Sequence, residues 1–98
     1  MITEDAVAVP SAQPLSACHV VVAPVRHVET FYDLDVQEQG AVWALVQEIR
    51  ARISASLRVE AFYVGFADGN HAHVHVVPQG PGESLSLPQD VEWVNPDR

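Results

Sequence analysis

Three imidazoles alternate with apolar residues in the run His71-Ala72-His73-Val74-His75-Val76-Val77. On an extended strand alternate side chains share a face, so the rings stand in a row roughly 7 Å apart per step, with Ala72, Val74 and Val76 turned toward a core. Each imidazole brings a donor and an acceptor that need partners, so a face of three rings makes poor core material. Histidine is also the side chain whose ordinary pKa lies near neutrality, which suits it to act as nucleophile, general acid or metal ligand. A metal reading has support of its own: His-x-His on a strand presents two ligands, His27 could add a third, and Asp68 could be recruited, although no Cys or Glu sits at a typical ligand spacing. The bland reading is a solvent-facing strand whose histidines are incidental.

The elements that must position this row can be read from periodicity and turn residues. Val59 to Phe66 reads as a strand, Asp68-Gly69-Asn70 as a turn, and His71 to Val77 as the antiparallel partner strand, stopped by Pro78. Ahead of them, Ala6 to Val9 is a short apolar stretch ended by Pro10, residues 11–17 form a loop, and His19 to Ala23 is a buried strand closed by Pro24. Arg26 to Leu34 is mixed and reads as irregular. Asp35 stands three residues before Glu38, the spacing of a capping box, and Val42, Leu45, Val46, Ile49, Ile53 and Leu57 then recur at threes and fours. That pattern predicts an amphipathic helix from about residue 36 to about residue 56, with Gly40 a mild defect near its start. Residues 79–98, rich in Pro, Gly and Ser, read as an irregular tail that ends in Val91-Glu92-Trp93-Val94. Strands before and after one long helix, without regular alternation, place the chain in the α+β class with an antiparallel sheet.

Composition narrows the partners. The 98 residues allow one domain, 1–98, and 48% of them are hydrophobic, enough for a packed core. Thirteen acidic residues against five basic ones give a formal charge of −8, which argues against nucleic acid and against an anionic membrane surface. There is no lysine, and every permanent cation is an arginine: Arg26, Arg50, Arg52, Arg58 and Arg98. A single cysteine, Cys18, cannot close an internal disulfide; that, an acidic start unlike a signal peptide and the lack of a long apolar run give a cytoplasmic location as the expectation.

Residues 71–77 match at every position the signature of the histidine triad (HIT) superfamily, His-φ-His-φ-His-φ-φ with φ apolar. Upstream, Cys18-His19-Val20-Val21-Val22-Ala23-Pro24-Val25-Arg26-His27-Val28-Glu29 resembles the family's Gly-His-apolar strand followed by Pro, basic residues and a further His. Phe31-Tyr32-Asp33-Leu34 and the capped helix are also similar, so the resemblance covers about residues 5–79. The chain resembles a short variant, with a reduced N-terminal segment and only Ala67-Asp68-Gly69-Asn70 between the preceding strand and His71, where well-studied hydrolases of the family carry a longer loop with Gly-Gln-Ser or Gly-Gln-Thr.

The resemblance implies an antiparallel five-stranded sheet with one long amphipathic helix, usually paired as a homodimer. It implies a nucleotide hydrolase or nucleotidyltransferase, of the phosphoramidate or dinucleoside polyphosphate type, acting at the α-phosphate through a covalent nucleotidyl-histidine. Carried over, His73 is the nucleophile, His75 a phosphate contact that assists the leaving group, His71 a group that holds the geometry, and His27 a hydrogen-bonding member of the cluster. Asn70 is a candidate substrate donor and Trp93 a candidate specificity element. The substrate is a nucleotide or nucleotide conjugate, and no cofactor is expected. A noncatalytic nucleotide-binding or regulatory module and a metal-binding protein remain the alternatives. Outside that set, His19 reads as a hydrogen-bonded structural residue, Cys18 as a small buried hydrophobe, Trp43 as core or dimer-interface packing, and Arg26 as a solvated charge.

Overall fold

In a computed structural model that describes residues 1–68 and 71–94, the chain forms five strands and one long helix. The strands are β1 (Ala6–Pro10), β2 (Val20–Pro24), β3 (Ala61–Ala67), β4 (His73–Gln79) and β5 (Glu92–Val94), and the helix is α1 (Val36–Ser56). They make one antiparallel sheet in the order β1-β2-β4-β3-β5. This is the α+β architecture expected from the sequence.

The helix begins where its cap is written. The Asp35 side chain accepts from the Glu38 backbone N–H at 2.8 Å, and Glu38 accepts in return from the Asp35 N–H at 3.1 Å. Each bond satisfies a backbone donor at the helix start or its cap. Glu38 is also gripped by Arg26, whose Nε and Nη2 both donate to it at 2.9 Å, so Arg26 ties the loop after β2 to the helix. Val42, Leu45, Val46, Ile49 and Ile53 are buried, and they pack against Ala6, Ala8, Val22, Val64, Val74 and Val76 of the sheet in one core cluster. Ala72, Val74 and Val76 are buried as the alternation requires, at 1%, 1% and 0% exposure.

Several local expectations need correction. Pro78 does not stop β4, which runs on to Gln79. The last β2 pairing is Val20 with Val76, so Pro78 has a strand partner only on the β3 side, where it opposes Phe62, and a residue with no N–H is tolerated there. Residues 79–98 are not irregular throughout: Glu92–Val94 pairs with β3 through Val64, Gly65 and Phe66. Phe31–Asp33, within the stretch read as irregular, forms a short 3-10 turn capped by Thr30. Cys18 is exposed, not buried, and its backbone adopts φ 65, a left-handed turn conformation of the kind usually left to glycine. Trp43 is 37% exposed and lies edge-on to Phe31 and Phe66.

Candidate active site

The helix covers one face of the sheet, and the histidines occupy the other. Reading across that open face, Val21, His75, Gly65 and Trp93 stand in one row on four neighbouring strands. His73, two residues before His75, shares the face. The two rings are not separated by the full strand repeat: they tilt toward each other until their centroids are 4.8 Å apart at an interplanar angle of 73°.

Hydrogen bonds assign different tautomers to the two rings. His73 Nδ1 lies 2.8 Å from the carbonyl oxygen of His71. A carbonyl can only accept, so Nδ1 carries the proton, and the neutral ring keeps its lone pair on Nε2. At His75 the arrangement is reversed. The Leu15 N–H donates to His19 Nδ1 at 3.0 Å, which leaves the His19 proton on Nε2; that nitrogen lies 3.0 Å from His75 Nδ1. His75 Nδ1 therefore accepts, and its Nε2 carries an N–H. One ring presents a lone pair at Nε2 and the next presents a donor.

Electrostatics keeps the second ring neutral. Burial, then the neighbouring His73 and His19, push the His75 pKa down from 6.5 to about 4, against a small opposing pull from Asp90. Burial also lowers His19. The His19–His75 pair is thus uncharged at neutral pH, as the Leu15-to-His19-to-His75 chain of donors requires.

The other expected residues divide into those brought to this face and those that are not. His71 precedes β4, so the third ring of the run leaves the strand row. Its Nε2 donates to the Pro24 carbonyl at 3.0 Å, while its own carbonyl holds His73. His27 packs against the His71 ring, with centroids 4.8 Å apart, at the far end from His75. Trp93 reaches the face, 6.0 Å from His75 between ring centroids, and its Nε1 donates to the Pro88 carbonyl at 2.8 Å. Asn70 lies outside the described residues. Among the described residues, no three His, Cys, Asp or Glu side chains come together as a set of metal ligands. Asp68, a possible ligand by sequence, lies instead beside the Phe31 N–H.

His19 is the hydrogen-bonded structural histidine expected from the sequence, and what the sequence reading lacked was its partner, His75. His19 precedes β2 and is 3% exposed, yet it is the residue that fixes His75. A signal was present: with Val22 pointing into the core, a period of two sends Val21 and His19 to the opposite face, where the histidines are. Beside His19 and His75 opens a cavity of about 390 Å³ between the Ser11–Leu15 loop and the Pro88–Trp93 segment. The arrangement offers a bare imidazole nitrogen, a fixed N–H donor 2 positions along the strand, and adjoining space for a ligand. These are the components for nucleophilic attack on a centre that develops negative charge.

Comparison with known proteins agrees with this geometry. The HIT domain family model matches residues 1–82. The chain is 27% identical over 78 residues to the bifunctional bis(5'-adenosyl)-triphosphatase/adenylylsulfatase FHIT of Arabidopsis thaliana, an alignment that covers 72% of this chain and 43% of that relative. The chain thus spans less than half the length of the curated relative it matches. Among solved structures, a Zn-bound histidine triad family protein from Mycobacterium smegmatis superposes with a TM-score of 0.77 at 26% identity, covering 92% of this chain and 70% of that one. The NitFhit protein of C. elegans superposes with a TM-score of 0.79 at 22% identity, over 88% of this chain and 23% of that one, a likeness of fold.

Proposed function

The chain belongs to the HIT domain family, and from that premise we propose that it is a nucleotide hydrolase or nucleotidyltransferase that works through a nucleotidyl-histidine on His73. The observation that carries this reading is the Nδ1 bond of His73 to the His71 carbonyl, which leaves the Nε2 lone pair for attack. In the first step His73 Nε2 forms a bond to the α-phosphorus of a nucleotide conjugate, and the bond from phosphorus to the leaving group breaks with its electron pair. A phosphate leaving group departs as the anion, and an amine leaving group departs with a proton taken from solvent. In the second step water attacks the same phosphorus. The P–N bond then breaks, a nucleoside monophosphate departs, and the water's proton passes to solvent.

His75 serves this chemistry as a neutral hydrogen-bond donor. Its pKa of about 4 leaves Nε2–H in place at neutral pH, aimed to stabilise charge on a phosphoryl oxygen or on the leaving atom. His71 positions His73 through its carbonyl, and His27 supports the His71 ring. Asn70 is proposed as a further phosphate donor and Trp93 as a wall of the substrate site. The family usually forms homodimers, and the exposed Tyr32, Trp43 and Val94 supply apolar surface for a second copy; sedimentation velocity reads this directly.

The test of the reaction is intact-mass analysis after incubation with a nucleoside phosphoramidate or a dinucleoside polyphosphate. A nucleotidyl adduct present in the parent chain and missing in His73→Ala is the expected result. The absence of both turnover and adduct with every such substrate refutes the reading.

A further inference from the structure

Gly65 stands between His75 and Trp93 in the row across the open face. Its backbone does not require glycine, because it sits inside β3 without a left-handed φ. The space around it does. A Cβ at this position would fall 2.5 Å from Cε3 and 2.8 Å from Cζ3 of Trp93, and 2.5 Å from Cγ1 of Val91, far inside van der Waals contact. The indole and the Val91 side chain therefore rest directly on the glycine backbone. The Trp93 Nε1–H bond to the Pro88 carbonyl folds the preceding residues back over the same face, and Pro88, Asp90, Val91 and Trp93 become one wall of the cavity that His19 and His75 border.

That wall has a definite chemistry. It supplies an indole, an apolar Val91 and one carboxylate, Asp90, and no arginine is among the described residues lining the cavity. Arg26 and Arg52 are engaged with Glu38 and Glu48, and Arg50 lies 5.0 Å over the Phe62 ring. Among the described residues, a second phosphate would meet a carboxylate there and no cation. A planar uncharged group with N–H donors on its edge would meet a stacking surface and an acceptor.

We propose that the segment Pro88–Val94, seated on Gly65, is the nucleobase wall of the histidine site, with Trp93 as stacking platform and Asp90 as acceptor for the amino group of the base. The proposal rests on the reading of His73 as the residue that takes the nucleotidyl group. It makes Gly65 a positioning residue, which acts on substrate only through Trp93 and Val91. It also specifies bases that carry an exocyclic amino group, adenine, guanine and cytosine, over uracil, whose carbonyls would face the carboxylate.

The experiment is calorimetric titration of the full chain with AMP, GMP, CMP and UMP, repeated for Gly65→Ala, Trp93→Ala and Asp90→Asn, with circular dichroism melts to establish folding. Gly65→Ala is expected to weaken AMP about 10-fold, the worth of one base–aromatic stack. Trp93→Ala should show a similar loss, and adding Gly65→Ala to it should change affinity by less than about 2-fold, since both act on one contact. The parent should bind UMP more weakly than AMP, and Asp90→Asn should erase that difference. Unchanged AMP affinity in a folded Gly65→Ala chain overturns the proposal, as does equal affinity of the parent for AMP and UMP. If the parent binds nucleotides with this pattern but never forms a His73 adduct, the reaction is refuted and the wall stands. If Gly65→Ala fails to fold, Trp93→Ala and Asp90→Asn decide by the same criteria.

Discussion

His73 and His75 lie two residues apart on one strand and one face, yet their surroundings make them different chemical groups. The His73 end of the row is fixed by backbone: the His71 carbonyl takes its Nδ1 proton, and the Pro24 carbonyl takes that of His71 Nε2. The His75 end is fixed by another ring, since His19 donates to its Nδ1. A carbonyl forces a proton onto the nitrogen it faces, whereas an N–H donor forces a lone pair. Equal spacing along a strand thus yields a bare Nε2 on one ring and a protonated Nε2 on the next.

The sharpest way to break this contrast is to remove each ring in turn. His73→Ala should abolish adduct formation and lower turnover on the order of 10³-fold or more, as loss of a nucleophile does. His75→Ala should still form the adduct, roughly 10²-fold more slowly, because a single oriented donor to a developing charge is lost. Single-turnover mass spectrometry separates the two cases. A smaller effect, about 10-fold, is expected of His19→Phe, which takes away the group that sets the His75 tautomer. His19→Gln should recover most of it, since a side-chain amide can accept from Leu15 and donate to His75. Failure of that rescue would mean that His19 acts through packing.

The same contrast has a pH signature. His75 binds its proton with a pKa of about 4 in the folded chain against 6.5 ordinarily, so the unfolded chain takes up protons first. Stability is then lost as pH falls through the window from 6.5 to 4 and levels off below it. Glu38 has the opposite chemistry but the same sign: held down to about 2 by Arg26 and the Asp35 N–H, it releases stability only as pH falls from 4.5 toward 2. Thermal midpoints measured across both windows should show two separate declines, and His75→Ala should shrink the upper one to the share left by His19, whose pKa is also lowered, without changing the lower. The smallest effect belongs to Asp35→Ala, remote from both rings, which should cost about 1 kcal/mol of helix capping and leave the mass of adduct per chain unchanged.

What could be read from residues alone follows the range of the interactions. The α1 boundaries were legible because the cap and the apolar stripe are local: Asp35, Glu38 and the Val42–Ile53 positions lie within one continuous segment. The shared face of His73 and His75 was legible because period two is a property of any strand. The tautomers were not: that of His75 depends on a pair 56 residues apart in sequence, and that of His73 on how the backbone carbonyl of His71, just ahead of β4, is aimed. The third ring leaves the row for the same reason: β4 begins at His73, and the segment before it is shaped by its own contacts. β5 is three residues long and carries almost no local signal; it depends on a vacancy at Gly65 that becomes meaningful only with β3 alongside.

The account's central claim is the pair of opposite tautomers, and two-dimensional long-range ¹H–¹⁵N NMR of the imidazoles at neutral pH reads it without any substrate. His73 should show a pyrrole-type Nδ1 and a pyridine-type Nε2, and His75 a pyridine-type Nδ1 and a pyrrole-type Nε2, with His19→Phe disturbing only the second ring. The same tautomer at both rings, or a charged His75, would contradict it.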